Sequence, residues 1–82
     1  PGAAERRQRL APLRKAARDA ETLLEKLNRA KALLERQLAD PATYAGGADI
    51  KALEHERQDL LRRIGEAEER WLAIESEIEA VG

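Results

Sequence analysis

Two runs of apolar residues, spaced alternately three and four apart, constrain this chain more than any other feature. The first passes through Leu10, Leu13, Ala17, Ala20, Leu24, Leu27, Lys31, Leu34 and Leu38. The second passes through Ile50, Leu53, Arg57, Leu60, Ile64, Ala67, Trp71, Ile74, Ile78 and Val81. Spacing of about 3.5 residues lines up one side of an α-helix, and sustained over several heptads it is the seam of a coiled coil. An isolated amphipathic helix is marginal in water and needs cover for its stripe. The nearest cover for each run is the other run. The pattern predicts an all-α fold, an antiparallel two-helix coiled-coil hairpin, with residues 1–82 as a single domain. Composition points the same way: one Trp, one Tyr and no Phe among 82 residues are too few bulky side chains for a globular core.

Between the runs, residues 38–47 read "LADPATYAGG". Asp40 suits an N-cap and Pro41 the first position of a helical turn, where its missing N–H costs nothing. The segment predicts a short 3₁₀ turn over residues 41–44, followed by a reversal at Gly46 and Gly47. Helix 1 is then expected over about 4–39, the tip over 40–48 and helix 2 over about 49–81. Pro12 removes a hydrogen bond inside helix 1 and clashes with the preceding turn. A kink near Pro12 is expected rather than a later helix start, because Leu10 and Leu13 keep the heptad phase. Two registers are open. One sets Ala20 against Trp71; the other, shifted by seven residues, brings Arg9 towards Glu77 and Arg14 towards Glu68. Lys31 and Arg57 interrupt the seams, where charged residues either fix register or snorkel outwards. Leu23, Leu33, Leu61 and Leu72 fall off the seams.

The sequence carries no catalytic constellation. Its one Ser, Ser76, and its one His, His55, are separated by 21 residues of one helix, about six turns, so they cannot meet within a hairpin. The sequence contains neither a GxxxxGK phosphate loop nor GxGxxG, and no cysteine for a disulfide or thiolate metal site. The domain is expected to be non-enzymatic, with no metal and no cofactor of its own. No apolar run approaches the roughly 20 residues that cross a bilayer. A cytoplasmic protein without membrane contact is expected, and Pro1 is read as the start of a module cut from a longer chain.

Charge is divided between the halves. Residues 5–38 carry ten basic against five acidic side chains, a balance of +5; residues 49–79 carry five against ten, a balance of −5. Within "RRQRLAPLRKAAR", Arg6, Arg7, Arg9, Arg14, Lys15 and Arg18 cluster around Pro12, and Lys26 and Arg29 extend the series. Clustered Arg and Lys on a helix make an electrostatic footprint for phosphates, read through the nucleic-acid backbone rather than the bases. The competing reading is internal: in an antiparallel hairpin Glu75, Glu77 and Glu79 lie beside this cluster and neutralise part of it. Aromatic interleaving for base stacking is missing, which disfavours single-strand recognition.

Taken in order, "LAPLRK", the "LADPATY" tip and "EAEERWLAIESEIE" resemble the C-terminal domain of ABC-F ATPases, closest to the Uup-like branch, over nearly the whole chain. The tip of that family is typically LADPxLY. Where the family commonly has Asp-Pro before the second helix, this chain has "GGAD". The resemblance implies a coiled-coil hairpin with a 3₁₀ turn, here residues 41–44. It also implies a parent protein with two ATP-binding cassettes, which would hold ATP and magnesium outside this domain. Its implied partners are DNA, then ribosomal RNA in a translation-associated protein, and the ATPase cassettes of the same chain. A purely structural protein–protein arm is the remaining reading.

Overall fold

The computed structural model describes residues 2–82, which form three helices: α1 (Ala3–Ala39), α2 (Pro41–Ala45) and α3 (Ile50–Val81). The long helices α1 and α3 pack against each other, giving a rod with Cα extents of 64 × 14 × 13 Å. Every residue of both predicted seams is buried or half-buried. Large aliphatic residues dominate towards the tip, where Leu27, Leu34, Leu60, Ile64 and Ala67 form one buried cluster flanked by Leu24, Ala30, Leu38 and Leu53. Nearer the open end, Ala17, Ala20 and Ile74 form a second, smaller cluster with Ala16, Trp71 and Ile78 against it.

Two cross-helix contacts identify the register. The Arg57 guanidinium donates to Glu35 Oε2 from Nε at 3.3 Å and from Nη2 at 3.2 Å. Trp71 Nε1 donates to Glu21 Oε1 at 3.2 Å. Going back fourteen residues along α1, from Glu35 to Glu21, goes forward fourteen along α3, from Arg57 to Trp71. The helices are therefore antiparallel and in one continuous phase. This is the register that groups Ala20 with Trp71, and the seven-residue shift is not adopted. The bulky indole meets a stretch of α1 whose seam residues are alanines, so size complementarity wins over the alternative charge match, whose exposed pairs are worth only ~0.2–1 kcal/mol each. Arg57 neither floats outwards nor lies unpaired: it is 31% exposed and spans the seam to Glu35, at 41%.

Helix α1 runs through Pro12 without interruption. Residues 4–11 are thus not a separate helix. Pro12 sits on the exposed surface, where water can serve the backbone acceptor that its missing N–H leaves unmatched. Leu10 and Leu13 on either side hold the seam.

The tip is a set of mutual caps. Asp40 Oδ1 accepts from Ala42 N at 2.9 Å and Thr43 N donates to Asp40 O at 3.0 Å. Gly46 N then donates to Ala42 O at 2.9 Å, four residues back, so α2 is one α turn, with bonds of the 3₁₀ type at its two ends, Thr43 to Asp40 and Gly47 to Tyr44. The predicted 3₁₀ turn survives only at these ends, because the Asp40 cap leaves room for a full α turn before the reversal. Thr43 Oγ1 donates to Gln37 O at 2.6 Å and Tyr44 Oη to Leu38 O at 2.7 Å. These are carbonyls of the last turn of α1, whose i+4 partners lie past the helix end; Gln37 O also accepts from the Asp40 N–H at 3.3 Å. The only tyrosine is thus a cap for the helix that precedes it. Gly47 has φ +77°, a conformation glycine adopts without cost, and a Cβ at Gly46 would stand 3.1 Å from Ala42 O. Asp49 Oδ1 accepts from Ala52 N at 3.0 Å and begins α3, within the "GGAD" stretch.

Candidate nucleic-acid interface

All eight predicted basic residues, Arg6, Arg7, Arg9, Arg14, Lys15, Arg18, Lys26 and Arg29, lie on α1 and are exposed. The seam decides where each points. Because seam positions recur at three and four residues, the opposite side of α1 runs through Lys15, Arg18, Thr22, Lys26, Arg29, Leu33 and Arg36, every one exposed. Lys15, Arg18, Lys26 and Arg29 therefore face away from the acidic helix. The others divide differently. Arg7 and Arg14 flank a shallow depression with Leu10 and Ala11. Arg9 shares a groove at the open end with Pro12, Leu13, Glu77, Ala80 and Val81.

Internal neutralisation is weaker than charge counting suggests. Among the described residues, no ion pair joins Arg7, Arg9, Arg14, Arg18, Lys26 or Arg29 to the glutamates of α3. Of the seven predicted residues other than Arg6, Lys15 has a close carboxylate, donating from Nζ to Asp19 Oδ2 at 2.8 Å within its own helix. That ammonium, by hydrogen bond and then by charge, holds the Asp19 carboxyl below its ordinary value, with Arg18 adding a smaller pull in the same direction. The two side chains are 70% and 67% exposed, so solvent screens the pair and leaves it weak, and a phosphate can compete for Lys15.

Acidic surface occupies a different flank. A groove of about 440 Å³ is lined by Glu21, Leu24, Glu25, Asn28, Glu68 and Trp71. Three carboxylates there repel phosphate, and the Trp71 N–H is engaged by Glu21. On α3, Asp59 and Glu66 are both held by Arg62 at 2.8 Å, and the Arg62 guanidinium keeps the Asp59 carboxyl below its usual value. His55 and Ser76 are exposed on α3, roughly 30 Å apart by helical rise. Among the described residues no group of three His, Asp or Glu is placed to hold a metal ion, and no helix is long and apolar enough to cross a membrane.

The sequence reading missed Arg36. It lies outside the N-terminal cluster in sequence, yet one turn and the next beyond Arg29 on the same side of the helix; the 3–4 spacing that located the seam would have found it. Compared with known proteins, the chain matches no family model, no curated protein and no solved structure.

Proposed function

We propose that this hairpin is a nucleic-acid-binding module that contacts the phosphate backbone of double-stranded DNA, without sequence preference, through the basic surface of α1. One observation carries the reading: exposed Arg and Lys side chains occupy the side of α1 turned away from α3, and those of Arg18, Lys26 and Arg29 are not engaged by a carboxylate. Such side chains release condensed counterions when they meet phosphate, which supplies affinity without base contacts. The resemblance to the Uup-like C-terminal domain supports DNA over other polyanions and implies a cytoplasmic parent ATPase, whose cassettes would carry the ATP chemistry. This domain then serves as the DNA-contacting arm rather than the engine.

The test is a titration of the hairpin with labelled duplex DNA and with structured RNA at two salt concentrations. Salt-sensitive binding with the duplex preferred is expected, and Arg14→Glu/Lys15→Glu/Arg18→Glu should abolish it while helicity by circular dichroism stays intact. Preference for the structured RNA would redirect the module to ribosomal RNA. Absence of binding to either at low salt would leave a protein–protein arm, a reading that draws on exposed Leu33 (62%) and Leu72 (58%).

A further inference from the structure

Resting on that nucleic-acid reading, we infer that the contact is not confined to the N-terminal cluster. It runs along the outer ridge of α1 from Lys15 to Arg36, so that the rod lies along about one turn of a duplex, with Arg36 as a contact residue. The ridge is defined by the fold. Lys15, Arg18, Thr22, Lys26, Arg29, Leu33 and Arg36 follow one another at intervals of three or four, all exposed, on the side opposite the buried seam. Five of the seven are basic; the acids Asp19 and Glu25, at the heptad positions of Lys26 and Arg18, lie beside this line, Asp19 held by Lys15, and Thr22 adds a hydroxyl of the kind that also ligates phosphate oxygens. The same line continued towards the N-terminus meets Gln8, Ala11 and Pro12, which carry no charge. Arg7, Arg9 and Arg14 sit to the sides of that line, over the two depressions described above.

Length and field agree with this reading. Twenty-one residues of helix separate Lys15 from Arg36, roughly 32 Å at about 1.5 Å per residue. One turn of B-form DNA is about 34–36 Å. The rod is narrow, 14 × 13 Å across its Cα atoms, so a duplex can approach the ridge along its whole length. The carboxylates of α3 lie behind α1, about one helix diameter or 10 Å away. This is close to a Debye length at physiological salt, so mobile ions weaken their repulsion of phosphates at the ridge. Of the five basic residues only Lys15 is in an ion pair among the described residues. Arg36 in the last turn of α1 also faces the negative end of the helix dipole, a role that any cation at that position would fill equally.

The experiment is fluorescence anisotropy with labelled duplexes of about 6, 10, 14 and 20 base pairs, bracketing one turn. Wild-type hairpin is compared with Arg29→Gln/Arg36→Gln and with Arg6→Gln/Arg7→Gln, and helicity is checked for each. Affinity is expected to climb steeply up to about one turn and then level off. Loss of Arg29 and Arg36 should weaken binding to the longer duplexes roughly 10- to 100-fold and lower the salt slope by about 2. The Arg6/Arg7 double change should do less, and Arg36→Lys should bind like wild type. Undiminished binding by Arg29→Gln/Arg36→Gln, or equal affinity for the shortest duplex, would overturn the ridge and return the contact to the open end. No salt-dependent binding at any length would instead remove the nucleic-acid reading itself, and the ridge with it.

Discussion

At the scale of single residues, the tip shows how much depends on side chains that look incidental. Tyr44 and Thr43 turn back to cap carbonyls of Leu38 and Gln37. Tyr44→Phe keeps the ring and deletes the donor, and should cost about 0.5–1.5 kcal/mol, measured by urea unfolding; a variant as stable as the parent would mean that water caps Leu38 equally well. Asp19 gives a pH prediction. The Lys15 ammonium stabilises its carboxylate in the fold, so the unfolded chain binds the Asp19 proton more readily than the folded one. Its contribution is therefore present above the unfolded pKa, about 4, and is lost as pH falls through the lower folded value. Thermal melts should lose stability on acidification below about pH 4, and Asp19→Asn should take away Asp19's share of that loss. In a carboxyl NMR titration Asp19 and Asp59 should both titrate below an ordinary aspartate, the second because of Arg62.

At the scale of elements, what could be read in advance was whatever repeats. The seam residues from Leu10 to Leu38 and from Ile50 to Val81 were legible because burial on a helix follows spacing alone, and the cap Asp40 because it precedes a helical turn; Asp49 was placed at the start of helix 2 without being identified as its cap. Thr43 and Tyr44 were not legible as caps: their bonds reach back six residues across a chain reversal, and no local pattern encodes that geometry. The register was undecided because Arg9–Glu77 and Ala20–Trp71 favour different alignments by comparable small energies; packing of the indole against alanines settles it. The basic site was legible as a cluster in sequence but not as a surface, since a cluster such as Arg6, Arg7 and Arg9 fans around the helix, whereas Arg29 and Arg36 share a side. A kink was read at Pro12 from its usual effect, and its exposed position lets α1 continue past it as one helical element. Its cost remains in the helix. Pro12→Ala should stabilise the hairpin by about 1–3 kcal/mol, visible as a higher Tm by circular dichroism.

At the scale of the whole molecule, the rod is graded from end to end. Leucines and isoleucines fill the seam near the tip, whereas alanines make up much of the cluster towards the termini. Buried apolar area, and with it local stability, should decline in the same direction. Amide hydrogen exchange should accordingly be slowest around Leu27, Leu34, Leu60 and Ile64 and fastest at residues 3–9 and 79–81; uniform protection would contradict the gradient. The capped tip has a kinetic consequence. Only ten residues separate Ala39 from Ile50, so the loop that must close before the first cross-helix contact is short and its entropy cost small. Every later contact is then brought into reach by the one before it, and the helices zip from the turn towards the termini. Substitutions near the tip should slow folding, while those near Ile78 should mainly hasten unfolding. The stretch of α1 bearing Arg6, Arg7 and Arg9 is thus the last to form and the first to open. Arg29 and Arg36, by contrast, sit on the tip-side part of the rod, beside the larger cluster, which should form early and stay closed.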